Sequence, residues 1–179
     1  MVLKRHIRWT VLLIFLTWPV IASWSWAQEE CHPHKRAAKA ITRLFGVSPE
    51  ISPISISEKD GSNSDLTLPG DCIYTIRDQE TLLGYLLSTS GKGRYDDFDY
   101  SVIFDHDKRI LQVIVTVYRS NHGASICQKN WLDQFEGYKG GKLILGSDID
   151  AVSGGTLSAT SMVQGIQRCH LLISSLDAE

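Results

Sequence analysis

Phe98-Asp99-Tyr100-Ser101-Val102-Ile103-Phe104, then Asp105-His106-Asp107-Lys108, then Ile110-Leu111-Gln112-Val113-Ile114-Val115-Thr116-Val117-Tyr118: two apolar, β-branched runs are divided by a polar turn. Short runs of this composition read as strands, and Asp, His and Lys between them supply a turn. In the second run Val113, Val115 and Val117 share one face and Ile114 takes the other. Apolar residues on both faces predict a central strand covered on both sides.

Working outward, Cys72–Arg77 and Leu82–Ser88 are two further strand candidates that precede this pair. Ile51–Ile56 alternates as a strand does, but Pro53 lacks an N–H and demotes it to an edge or a bulge. Glu58–Gly70, with Asp60-Gly61-Ser62-Asn63-Ser64-Asp65 and Pro69-Gly70, is a polar loop. Lys35–Phe45 carries Ala37, Ala38, Ile41 and Leu44 at helical spacing, with Gly46 as its stop. On the other side, Ser125–Phe135 can form a helix, Leu143–Leu145 a short strand, and Ser161–Leu176 a final helix. The expectation is an α+β domain with a mostly antiparallel twisted sheet and packed helices.

The first 27 residues stand apart. Lys4, Arg5 and Arg8 precede an apolar run from Trp9 to Trp24, and Ser25 and Ala27 are small enough for the −3 and −1 positions of a cleavage site. This predicts export, to the periplasm or an equivalent space, with a mature start at Gln28. An uncleaved anchor is the alternative, although Pro19 interrupts the run and a spanning helix usually needs roughly 17 to 25 residues. Domain boundaries follow: 1–27 signal peptide, 28–70 the helix, edge strand and polar loop, and 71–179 the core of the domain. The leader holds three of the 18 basic residues and none of the 20 acidic ones, so the remainder carries a net charge of −5. Such a surface disfavours nucleic acid. A chain of this length buries roughly two thirds of its unfolded surface in one core.

Cys31, Cys72, Cys127 and Cys169 all follow the leader. Up to two disulfides are predicted, with three full pairings open and free buried thiols as the alternative. The absence of Cys-x-x-Cys excludes a zinc ribbon, a thioredoxin-like pair and a c-type haem. His32 and His34 read as a solvated tail, Asp105-His106-Asp107 as a polar turn, and Asp148 and Asp150 do not continue as an EF-hand, since Ala159 stands at its twelfth position. No metal site is expected.

The chemistry is predicted in Asp150-Ala151-Val152-Ser153-Gly154-Gly155-Thr156-Leu157-Ser158, a glycine-containing loop that delivers hydroxyls to a helix start. Gly154 and Gly155 permit close backbone approach, while Ser158, Thr160 and Ser161 are capping types. The unpaired amides and positive dipole end of a helix favour a phosphate there. An unliganded capped loop is the competing reading.

Asp150, Ser153, Gly154 and Thr156 resemble the motif Asp-x-x-Ser/Thr-Gly-Ala-Thr/Ser of exported FMN-binding domains. That family includes a flavin-carrying component of the sodium-translocating NADH:quinone reductase, its Rnf-complex relative and small stand-alone domains. Gly155 replaces the usual alanine. Gly84-Tyr85, Tyr118–Ser125 and Trp131–Gly137 also suit the middle of these domains, and the likeness spans about residues 72 to 176. Where the large complexes carry Glu-Thr-Pro-Gly-Leu-Gly, this chain has Ser120–Ser125 and keeps Gly123, which places it nearer the stand-alone branch.

The resemblance implies covalent FMN on Thr156 through a phosphodiester, installed by a flavin transferase that uses FAD and magnesium. It implies electron transfer to and from unknown partners, membrane-bound ones included, with no catalytic residue of the chain's own. Thr156 is then a modification acceptor, and Asp150, Ser153, Gly154, Gly155, Ser158, His122 and Gly123 surround the cofactor. Tyr118, Trp131 and Phe135 are candidates for a ring wall, although core packing is their commoner fate. Two alternatives stand beside the carrier: an unflavinylated exported binding or assembly module, and an FMN-dependent reductase of a small substrate.

Overall fold

A computed structural model describes residues 31–54, 66–120 and 122–176. The leader and most of the polar loop at Glu58–Gly70 lie outside the described residues.

Five strands form one antiparallel meander: β1 (Glu50–Ile54), β2 (Cys72–Asp78), β3 (Thr81–Lys92), β4 (Asp97–Asp105) and β5 (Ile110–Tyr118), neighbours in space in that order. Pro53 sits in the outer strand β1, opposite Tyr74, at the edge position its missing N–H predicts. The Asp105–Arg109 turn closes as its sequence suggests. Lys108 adopts a left-handed φ of 62°, and the Asp105 carboxylate accepts the Arg109 N–H at 2.8 Å.

A helix packs on each face. The first, α1 (Lys35–Phe45), is started by His34, whose Nδ1 accepts the Arg36 N–H at 3.2 Å, and stopped by Gly46 at φ 69°. It buries Ala37, Ala40 and Ile41 against Tyr74, Ile76, Leu86 and Ile103. The last helix, numbered α3 (Thr156–Ser175), buries Ala159, Met162, Val163, Ile166, Cys169, Leu172 and Ile173 against the opposite face. Helices on both faces of an antiparallel sheet make this an α+β fold. Among the described residues no helix is long and apolar enough to cross a membrane.

Several expectations are corrected. The run Ile110–Tyr118 is the outermost strand, and β3 is central. Because α1 covers one face of β5 and residues 124–135 the other, two-sided burial does not separate a middle strand from an edge. The exposed ladder of β5 is partly closed instead by other means: Ile110 exchanges backbone hydrogen bonds with Gly137 and Tyr138 at 2.8 and 3.0 Å, and the Arg36 guanidinium donates to the carbonyls of Val115 and Thr116.

Second, Val117 does not share the face of Val113 and Val115. Tyr100 pairs with Val115 and Asp99 with Val117, so Thr116 is an extra residue in a bulge. The bulge brings Tyr118 onto the α3 face beside Phe98, with ring centroids 5.8 Å apart. Third, residues 124–135 form two 3-10 turns and a four-residue helix, α2 (Lys129–Leu132), because Gln128 is extended at ψ 134°. An unbroken helix would set Ile126 on a different face from Trp131 and Phe135; the break buries all three. Leu143–Leu145 contributes only a bridge from Leu145 to Ile149. Fourth, α3 begins five residues before Ser161.

One disulfide joins Cys31 to Cys72, with Cα atoms 5.7 Å apart, while Cys127 and Cys169 are free. Closing that 41-residue separation stabilises the fold by about 4 kcal/mol in the chain-entropy account. A buried ion pair performs the same joining role inside. Arg168 on α3 holds Asp71 at 2.6 Å, donates to the Leu66 carbonyl at 2.7 Å and to Thr89 at 2.8 Å, and so fastens the 66–71 segment to helix and sheet.

Candidate functional site

The site is assembled on a rigid approach to α3. Ile149 and Val152 are buried pegs in the main core. Between them both backbone polar groups of Asp150 are held: its N–H by Gln134 Oε1 and its carbonyl by the Trp131 indole N–H, each at 2.8 Å. The chain then turns back, with the Gly155 N–H on the Val152 carbonyl at 3.2 Å and Gly154 at φ 72°. Gly155 precedes the first turn of α3 and makes no side-chain cap. The helix's first bond runs from the Ala159 N–H to the Gly155 carbonyl at 2.9 Å. The amides of Thr156, Leu157 and Ser158 therefore have no carbonyl acceptor within the helix.

A second loop crosses this one. Gly123, at φ 77°, opposes Gly155 so closely that a Cβ at Gly123 would lie 2.9 Å from Tyr118 Oη and 3.1 Å from Gly155 Cα. A Cβ on Gly155 would lie 2.9 Å from Val152 Cγ1 and 3.1 Å from Gly123 Cα. Two facing glycines thus set the separation of the loops. Tyr118, carried here by the β5 bulge, donates its hydroxyl to the His122 carbonyl and lies 3.4 Å from Ser158 Oγ. This phenol links strand, crossing loop and helix start.

Where these elements meet is a cavity of about 160 Å³, lined by Gly154, Gly155, Thr156, Ser158, His122 and, from the β3–β4 hairpin, Arg94. Thr156 is the first residue of α3 and is exposed. The structure brings Thr156, Gly154, Gly155, Ser158 and His122 to one cavity, with Gly123 at its back. Asp150 and Ser153 line a separate groove of about 250 Å³ with Gln128, Asn130 and Gln134. The inward turn of Val152 sets them on that side.

The capping types do not cap. Ser158 is buried in the first turn, and Ser161 Oγ accepts the Lys92 N–H at 2.7 Å. Of the candidate ring-wall residues, Trp131 and Phe135 pack edge to face in the core at 5.3 Å, and only Tyr118 reaches the site. His34 caps α1 rather than trailing in solvent. Among the described residues no group of three His, Cys, Asp or Glu side chains could hold a metal ion.

Arg94 was not singled out by the sequence. It lies in the hairpin tip 93–96, and nothing local links that tip to a residue 62 positions later. A cation beside an aromatic, Arg94-Tyr95, in a turn between strands is the one signal that could have drawn notice.

No family profile and no curated protein sequence matches the chain. Among solved structures it is similar to the crystal structure of Shewanella oneidensis NqrC, at 17% sequence identity and a TM-score of 0.43. That likeness covers 57% of this chain and 56% of NqrC, little more than half of either.

Proposed function

We propose that this chain is an exported electron-transfer flavoprotein whose FMN is attached through its phosphate to Thr156. The observation that carries the reading is the placement of Thr156. Thr156 is exposed at the first position of a 20-residue helix, beside amides without helical acceptors and in a cavity that also receives Arg94. A phosphodiester anion at such a helix start gains typically about 0.3–1 kcal/mol from the dipole. The motif resemblance supplies the identity of the phosphate's owner.

The residues fit the group. Facing glycines leave the cavity floor free of side chains, the helix amides donate to phosphate oxygens, and Arg94 contributes a cation. In the transfer, the Thr156 oxygen forms a bond to the FMN phosphorus of FAD as the phosphoanhydride bond breaks and AMP leaves. The hydroxyl proton passes to the transferase, which binds magnesium and FAD. Once bound, the flavin supplies one- and two-electron redox chemistry that no side chain here has. The protein's share is to fix position and exposure.

Cavity size favours a carrier over a reductase. Pockets that enclose small molecules run from about 300 to 1,000 Å³, whereas this one, at about 160 Å³, accommodates a phosphate and its attachment. A flavin ring carried on Thr156 would extend beyond this cavity, within reach of a protein partner. The Cys31–Cys72 disulfide suits an oxidising compartment outside the cytoplasm.

Co-expression with a flavin transferase tests the assignment. Intact mass should increase by FMN less water in the wild type and in Thr156→Ser, and stay unmodified in Thr156→Ala. A flavin adduct retained by Thr156→Ala would refute the site.

A further inference from the structure

We propose that the β3–β4 hairpin tip is the second half of the flavin site. Arg94 binds the phosphodiester, and Tyr95 with Leu157 forms the rest on which the isoalloxazine lies. This rests on the reading that Thr156 carries FMN and assigns residues that neither the motif nor its resemblance contains.

Three observations converge. Arg94 lines the Thr156 cavity and makes no ion pair with a carboxylate among the described residues, although its neighbours do: Lys92 pairs with Asp97 at 2.9 Å and Arg119 with Asp99 at 2.6 Å. A planar guanidinium without a carboxylate partner, beside amides that have no acceptor within the helix, is suited to two oxygens of one phosphate.

Next, Tyr95 and Leu157 are the two most exposed large apolar side chains of the described residues, at 65% and 62%. Both border the same site: Leu157 lines the cavity, and the Tyr95 ring stands edge-on to His122 at 5.5 Å. Isolated exposed apolar residues are ordinary. Two of them from distant parts of the chain, flanking one anion-binding cavity too small for the ring, mark where the ring goes. Arg94 lies 5.5 Å over the Tyr95 ring, so phosphate and ring contacts come from one short turn.

Finally, the tip is exposed but its base is fixed. The Lys92 N–H bonds Ser161 on α3, the Gly93 N–H closes on the Asp96 carbonyl at 3.1 Å, and Arg119 donates to the Asp97 carbonyl at 3.0 Å. A platform on a held turn keeps its geometry relative to α3, as a positioning element must. A tyrosine face within stacking distance also quenches flavin emission by donating an electron to the excited ring.

The experiment uses full-length protein co-expressed with a flavin transferase: wild type, Tyr95→Leu, Arg94→Gln and Arg94→Lys. Intact mass first reports the adduct on each; native flavin fluorescence relative to the unfolded sample, visible circular dichroism and the ³¹P resonance of the phosphodiester then report its setting. Tyr95→Leu is expected to keep the FMN mass, raise native fluorescence severalfold and weaken the dichroism. Arg94→Gln should displace the ³¹P resonance, with Arg94→Lys restoring part of the shift. Flavinylated Tyr95→Leu and Arg94→Gln proteins with wild-type fluorescence, dichroism and ³¹P signals would overturn the hairpin's role and leave Thr156 standing. A wild type that never gains FMN overturns both.

Discussion

Gly155→Ala is the most informative single methyl that could be added to this protein. Gly155 has φ −126° and ψ 18°, which alanine also adopts, so backbone strain plays no part. Through the unfolded state alone the change would stabilise by about 0.4–1 kcal/mol. Sterics oppose it: the new Cβ lies 2.9 Å from Val152 Cγ1 and 3.1 Å from Gly123 Cα. Val152 is a buried core side chain, and the Gly123 carbonyl is held by the Ile126 N–H at 3.2 Å, so neither yields freely. Overpacking of this kind costs about 1–3 kcal/mol. The net expectation is a loss of roughly 1–2 kcal/mol, a fall in Tm of about 2–8 °C for a domain of this size. Calorimetry or urea unfolding of unflavinylated protein measures it. In a double-mutant cycle with Val152→Ala, a coupling of about 1 kcal/mol should appear, since the smaller side chain vacates the contested space. A Gly155→Ala protein as stable as the wild type, or strict additivity with Val152→Ala, would refute the crossing-glycine argument.

Two further perturbations probe the frame. Arg168→Met leaves the Asp71 carboxylate, 1% exposed, without its cation, and urea unfolding should show a loss of about 3–5 kcal/mol that Asp71→Asn partly restores in the double variant; a loss below about 1 kcal/mol would contradict the pairing. Burial pushes the Cys169 thiol up to about 12 and also raises the Tyr100 phenol, where the neighbouring Cys169 adds to the effect. Both groups stay protonated in the fold after the unfolded chain has begun to lose their protons. Their contribution is therefore intact below the unfolded thiol value of 9.0 and is lost as pH climbs toward 12. A thiol reagent at about pH 8 should leave Cys169 untouched until denaturant is added, and Tm should decline above about pH 9; a native Cys169 that reacts at once, or a flat alkaline profile, would count against it.

The strands were legible because their burial is local in origin. The apolar, β-branched runs on either side of Asp105–Lys108, and the turn itself, follow from residue types alone. What escaped was relational. Nothing in Ile110–Tyr118 distinguishes a middle strand from a rim strand roofed on both sides, and the Thr116 bulge that redirects Tyr118 shows only in the pairing with β4. The early start of α3 was hidden because Gly155-Thr156-Leu157-Ser158 lacks an apolar stripe; its helical form is imposed by Val152 and Ala159 packing below it. The candidate site divides likewise. Thr156, Gly154, Gly155 and Ser158 form one contiguous motif and could be read together, whereas Arg94 enters from a hairpin that only tertiary folding brings near. Cysteine pairing was open for the same reason: four positions allow three complete pairings, and only the fold sets Cys31 against Cys72 while placing Cys169 beneath Tyr100.

The Cys31–Cys72 bond also sets a leash. Anything attached ahead of Cys31 connects, through sulfur, directly to the first residue of β2, and the stretch spanned by that 41-residue separation is taken out of the line of tension. With the bond reduced and α1 and β1 pulled away, that stretch could extend by up to about 140 Å, at roughly 3.4 Å per residue. Oxidised, the reach of a tethered domain is governed by the chain before Cys31 alone. A pull applied ahead of Cys31 would thus reach β2 through one covalent bond, on the α1 side of the sheet, opposite the face on which α3 and Thr156 lie.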